Sequence, residues 1–384
     1  MGRKERKVYL NQIRLRYRKA GRKLKTKILD EFCAVCGYQR KYAINLLWEP
    51  FRRSKPKARP RGCKSIYKIE SVLNPLKTIW LATNQICSKK LKVALPLWLP
   101  FYANGYGDLS SDVVNKLLKI SPATIDRLLK PIKAKYKSKG LCGTKPGSLL
   151  KNQIPIRTDN WDIDKPGFCE ADTVAHCGNS LSGDFVWSLT LTDIYSGWTE
   201  NRALWGKGAD GTVEQIKNIE QNLPFKLLGF DCDNGTEFLN YHLIRYFSNR
   251  PKELMVQFTR SRPYHKNDNA HVEQKNWTHV RQLLGYDRFA NAVLVPLMND
   301  LYGNEYCLLQ NYFLPAMKLV SKERINSKYR KKYDVPKTPY HRLLESEYIT
   351  SEAKEKLMRT YKQLNPFTLK NNIESKLKGI FKYV

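Results

Sequence analysis

The sequence predicts an α/β domain built on a mixed sheet, preceded by basic all-α regions and followed by a helical basic tail. Three observations predict it. Residues 161–290 open with three strand-like runs and then alternate helical and strand-like runs. The residues before 138 and after 291 carry helical periodicity instead. Charge divides along the same lines: residues 1–65 hold 21 Lys+Arg against 4 Asp+Glu, whereas residues 161–290 hold 14 against 17.

The chain has 384 residues, enough for two or three domains with buried cores. Its 42% hydrophobic content, 22 Tyr and 8 Trp are those of a folded protein. The net charge of +33 exceeds what solubility requires and points to a polyanion, nucleic acid first and an anionic membrane surface second. No apolar run approaches the roughly 20 residues of a membrane span, and Met1–Lys7 leads into no hydrophobic signal region, so a soluble, cytoplasmic protein is expected. Nine scattered cysteines fit reduced thiols. Cys33-x-x-Cys36 is the one zinc-like spacing, and all six histidines fall after residue 175, which argues against a zinc site there.

Residues 1–50 read as a first helical domain. A basic helix is expected over Leu10–Leu24, and Ile28, Phe32 and Val35 recur at the amphipathic period in a second. Gly37 supplies a turn, and a third helix runs from about Gln39 to Trp48 with Ala43, Leu46 and Leu47 inward. This is a helix-turn-helix candidate in which Gln39, Arg40 and Lys41 would meet DNA; a plain helical hairpin with a solvated basic face fits the same pattern. Residues 51–65 form a linker whose Arg52, Arg53, Lys55, Lys57, Arg59 and Arg61 could track a phosphate backbone. Residues 66–138 read as a second helical domain: Ile69–Thr83, Leu91–Trp98, Ser111–Lys119 and a helix begun by Ser121 as N-cap and Pro122 at the first position. The last two again resemble a helix-turn-helix, with Thr124 and Arg127 as DNA contacts. Residues 139–160, with three Gly and two Pro, mark a linker.

In the 161–290 domain, strands are expected at Phe168–Val174, Phe185–Thr192, Trp198–Leu204, Phe225–Phe230 and Val256–Thr259. Helices are expected at Gly211–Asn222, Glu237–Phe247 and Ala270–Leu284. Glu273, Trp277, Val280 and Leu284 fall at i, i+4, i+7 and i+11, so an acid heads an apolar stripe facing the sheet. Asp172 lies in the first strand, and Asp233 lies in the run Asp231-Cys-Asp-Asn-Gly235 at which the fourth stops. A carboxylate on a packed helix face costs several kcal/mol unless paired, and nearby acids add repulsion. Divalent Mg²⁺ or Mn²⁺ would answer both, since these ions take hard oxygen ligands. Singly, each acid reads equally well as a turn or first-turn residue.

Together the motifs carry a resemblance. Glu170-Ala-Asp-Thr-Val, Asp-Asn-Gly-Thr-Glu-Phe at 233–238 and Ser-Arg-Pro-Tyr-His-Lys-Asn-Asp-Asn-Ala-His-Val-Glu-Gln-Lys-Asn at 261–276 resemble the catalytic core of the retroviral integrase and bacterial insertion-sequence transposase superfamily. The resemblance implies a ribonuclease H-like core with Asp172, Asp233 and Glu273 as catalytic triad and metal ligands for two Mg²⁺ or Mn²⁺ ions. It implies an enzyme that cuts the ends of a mobile element and joins the exposed 3′ hydroxyls to target DNA. Its partners would be double-stranded DNA, both terminal repeats and target, and at least one further copy of itself. Glu170 and Asp231, each two residues from a triad member, rank second for the acids. Asn234 and Gly235 would shape the site's turn, and Tyr264, Lys266, Asn269, Lys275 and Asn276 are candidate DNA contacts. Thirty-nine residues separate Asp233 from Glu273, where retroviral relatives commonly have about 35. A nuclease without strand transfer and a transposase-derived DNA-binding regulator are the alternatives. Residues 291–384 are expected to be helical and basic, either a solvated tail or a further DNA or subunit contact.

Overall fold

The structure, a computed structural model, describes residues 2–48, 66–67, 69–135, 163–206, 208–232, 238, 241–260, 270–325 and 327–384. The linker cations Arg52, Arg53, Lys55, Lys57, Arg59 and Arg61 lie outside the described residues. So do linker 139–160, the turn Asp233, Asn234 and Gly235, and the loop residues Tyr264, Lys266 and Asn269. The chain forms two compact units, Met1–Ser65 and Ile66–Val384.

The first unit holds helices Arg3–Lys19, Arg22–Cys36 and Arg40–Trp48 around Ile13, Phe32, Ala43 and Leu47. The single basic helix expected over Leu10–Leu24 is instead two, because Gly21 adopts extended backbone and caps the second. Gly37, at φ 67°, closes that helix in the left-handed conformation and donates its N–H to Cys33 O. Cys36 packs into the core, and Val35, expected inward, is exposed.

The second unit is built on a five-stranded sheet of order β3-β2-β1-β4-β5. The strands are β1 Phe168–Ala175, β2 Val186–Asp193, β3 Thr199–Trp205, β4 Gly229–Cys232 and β5 Gln257–Arg260. The first three pair antiparallel, while β4 pairs parallel with both β1 and β5. β4 begins four residues later than the sequence suggests. Its partner β1 opens at Phe168, opposite Gly229, where the strands approach so closely that a Cβ on Gly229 would sit 2.4 Å from the Phe168 ring.

Strand side chains alternate between faces. Cys169, Ala171, Leu189, Leu191, Phe230 and Cys232 meet helices Ala209–Asn222 and Tyr241–Ser248 in one apolar core. Glu170, Asp172, Thr190, Thr192 and Asp231 alternate with these residues and therefore face the other side. Over that face lies the segment 270–284, continuous but of changing pitch: α-helical at Ala270–Lys275, π-helical at Asn276–Arg281 and α-helical at Gln282–Leu284.

The expected helical tail is corrected in two respects. It contains a two-stranded hairpin, β6 Leu319–Ile325 with β7 Lys328–Tyr333, and its helices are core rather than appendage. Trp98, fully buried, donates its indole N–H to Phe313 O at 3.2 Å and meets Phe313 and Phe367 edge-on. Helices from 70–135 and 294–380 thus share one apolar cluster, which extends to Val186, Trp198 and Ala203 of the sheet region.

Candidate active site

The site is built on β1. In register, Glu170 stands opposite Asp231 of β4 and Thr192 of β2, and Asp172 stands opposite Thr190. Asp231 Oδ1 accepts from Thr259 Oγ1 of β5 at 2.6 Å. Two acid-bearing strands in parallel register therefore present their carboxyls on the face beneath the 270–284 helix, as the two-residue spacing of Glu170 and Asp172 suggests.

The helix is tied to β1 at two points. Glu170 Oε2 accepts the backbone N–H groups of His271 and Val272 at 3.0 and 2.9 Å. Asn276 Nδ2 donates to Asp172 Oδ2 at 2.7 Å, while Asp172 Oδ1 accepts the Thr173 N–H. Glu273 lies between these ties, exposed at the helix surface. Burial foremost, with the charges of Asp231 and Glu273 adding, pushes the Glu170 carboxyl up to about 8 against the pull of its two N–H bonds.

The pitch of the helix changes what the apolar stripe does. Val280 and Leu284 pack inward as expected, but Glu273, expected to head the same packed stripe, is exposed, and Trp277 is 47% exposed. The π-helical turn widens the spacing from Asn276 onward, so Asn276, His279 and Val280 take the inner positions and Trp277 turns out.

The remaining predicted residues divide. Lys275 donates to Gly197 O at 3.1 Å, and burial, with Lys90 and Arg342 nearby, lowers its ammonium to about 7. That side chain is engaged with the turn between β2 and β3, and Asn276 with Asp172. Arg40 is paired with Asp30 of the preceding helix, while Gln39 and Lys41 are exposed. Arg127 donates to Thr124 Oγ1 at 3.0 Å and to Ala123 O on an exposed helix start. Cys33 and Cys36 are free thiols.

Sequence reasoning missed the Glu170 and Asn276 ties. A charged residue in the middle of a buried strand was the available signal for the first; for the second, periodicity offers none. It also missed a buried polar chain between the sheet and a helix, His176 Nε2 to Ser188 Oγ to the Tyr302 hydroxyl at 2.8 and 2.9 Å. All three are fully buried, so this Ser–His pair is a packing feature without access for substrate.

Over 329 residues the chain is 38% identical to the uncharacterized protein y4rM of Sinorhizobium fredii (strain NBRC 101917 / NGR234), spanning 85% of this chain and 91% of that one. The chain belongs to the y4rM family. No family model matches it. Among solved structures, the catalytic core domain of BIV integrase is similar at 17% identity, over 47% of this chain and 96% of that one, with a TM-score of 0.29. The HTLV-2 integrase catalytic core domain, in complex with magnesium in a dimeric form, is similar at 16% identity, over 39% of this chain and 90% of that one, with a TM-score of 0.28.

Asp172, Asp231 and Glu273 carry carboxylate oxygens of the kind a hard divalent cation takes, and the charges of Asp231 and Glu273 add to burial in disfavouring the Glu170 anion. Among the described residues no three acidic, histidine or cysteine side chains form a metal-holding group. Asp233, one residue past the end of β4, lies outside them.

Proposed function

We propose that this chain is a DDE transposase with a ribonuclease H-like core, a metal-dependent polynucleotidyl transferase that cuts and joins DNA at the ends of a mobile element. The observation that supports this reading is the seating on β1 of the helix that carries Glu273, through the Asn276 bond to Asp172. The sheet order, with three antiparallel strands followed by a parallel pair, supports a ribonuclease H-like reading.

Asp172, Asp233 and Glu273 would hold Mg²⁺ or Mn²⁺. Bound there, two ions supply charge stabilisation for in-line displacement at phosphorus. The protein's own part is orientation. Asn276 and the Thr173 N–H fix both oxygens of Asp172, and Asn276 belongs to the same continuous helical segment as Glu273. In the first step water attacks a phosphodiester and releases a 3′ hydroxyl. In the second that hydroxyl attacks a target phosphodiester and displaces its 3′ oxygen. Each step breaks one P–O bond and forms another.

DNA is brought in by the basic regions. Gln39 and Lys41 at the start of helix Arg40–Trp48, the cations of the 51–65 linker, and Thr124 with Arg127 are the proposed contacts, together with Tyr264, Lys266 and Asn269, which precede Glu273 in the sequence. Pairing two element ends calls for at least a dimer.

The test is single Asp172→Ala, Asp233→Ala and Glu273→Ala substitutions. Each should abolish Mg²⁺-dependent cleavage and joining and leave binding to element ends intact. A fully active triple variant overturns the proposal. Cleavage without joining of a labelled 3′ end to a second duplex would assign a nuclease, and absence of inverted repeats around the gene would favour a DNA-binding regulator.

A further inference from the structure

Glu170 is a carboxyl where a buried strand ordinarily carries an apolar side chain, and it is 1% exposed. One of its oxygens accepts two main-chain N–H groups, from His271 and Val272. The first four N–H groups of a helix have no partner within it, and two of those here are satisfied by one atom from β1. From the next residue onward the helix carries Glu273, and three residues further Asn276 reaches Asp172. Helix and strand are thus fixed to each other on both sides of Glu273. A helix held at one point can rotate or slide about it; a helix held at two cannot.

Resting on the transposase reading above, we infer that Glu170 is a positioning residue. It clamps the start of the 270–284 helix to β1 and thereby sets where Glu273 stands relative to Asp172, without itself ligating metal or touching DNA. Its burial and the double use of Oε2 separate it from the half-buried Asp172, which accepts from a side-chain amide and from its neighbour's N–H. The bond is made by an acceptor oxygen, not by net charge, so an amide of the same shape can replace it.

The experiment compares Glu170→Gln and Glu170→Ala in the full chain by three readings. These are hydrogen exchange at the His271 and Val272 amides, Mn²⁺ binding in the absence of DNA, and Mg²⁺-dependent DNA cleavage. In Glu170→Ala, exchange at the two amides should rise roughly tenfold, as expected for loss of a strong hydrogen bond. Mn²⁺ affinity should fall about 10- to 100-fold, the usual cost of losing a group that orients a ligand. Glu170→Gln should restore both readings to near the parent values. Should Glu170→Ala fail to fold, Glu170→Asp, one methylene too short to reach the amides, takes its place with the same expected losses. Unchanged exchange and unchanged Mn²⁺ affinity in the shortened variant overturn the inference. Equal loss of Mn²⁺ binding in Glu170→Gln with exchange preserved also overturns it, because Glu170 would then act as a charged ligand. Exchange does not depend on activity: a parent chain that cleaves no DNA defeats the transposase reading and leaves the clamp to be judged by the amides.

Discussion

Asn276→Ala should separate activity from stability. The substitution removes the 2.7 Å bond to Asp172 Oδ2, and a hydrogen bond to a charged group contributes about 1.5–3 kcal/mol. It also removes the amide oxygen Oδ1, which is buried and without a hydrogen-bond partner among the described residues. An unsatisfied buried polar atom costs about 1–3 kcal/mol, so the two effects oppose and nearly cancel in the folding free energy. They do not cancel at the site, where Asp172 loses the contact that fixes its outer oxygen. Activity should fall about 10- to 100-fold, with the loss relieved by raising Mg²⁺. The assay is nicking of a duplex carrying the element end across a Mg²⁺ titration, alongside a urea melt. Asn276→Asp should be worse at neutral pH, since it sets a second carboxylate against Asp172. Activity of Asn276→Ala within twofold of the parent at limiting Mg²⁺ would refute the reasoning, as would a parallel collapse of stability and activity.

Two further outcomes concern the frame around the site. Trp98→Ala should cost about 3–5 kcal/mol in a urea melt, because the indole is fully buried between Phe313 and Phe367; a loss below 1 kcal/mol would mean the helices do not share a core. Asp193 accepts the Gly167 and Ser196 N–H groups, yet burial pushes its carboxyl up to about 6. A folded value above the unfolded one means its contribution is fully present below about pH 4 and lost as pH rises to about 6. The stability advantage of the parent over Asp193→Asn should therefore be larger at pH 4 than at pH 7, and a difference independent of pH counts against it.

Element order and type were legible because periodicity is local. Phe168–Ala175 and Ser111–Lys119 follow from alternation and helical spacing alone. The placing of Glu170 with Asp172 on one face was legible too, since a strand repeats every two residues. The inner face of the 270–284 helix was not, because a stripe drawn at 3.6 residues per turn fails once a π-helical turn intervenes, and Asn276 rather than Trp277 is buried.

By itself the sequence determined that acids would stand in the middle of a basic chain, on strands and a helix whose order predicts a mixed sheet. Only the tertiary structure decided how they are held. The bond from Glu170 to His271 spans 101 residues and that from Trp98 to Phe313 spans 215. Local pattern says which face a side chain takes but not which distant element covers that face. That is decided by burial: a carboxyl closed off from water must find donors, and here they are the N–H groups at the start of the helix that carries Glu273.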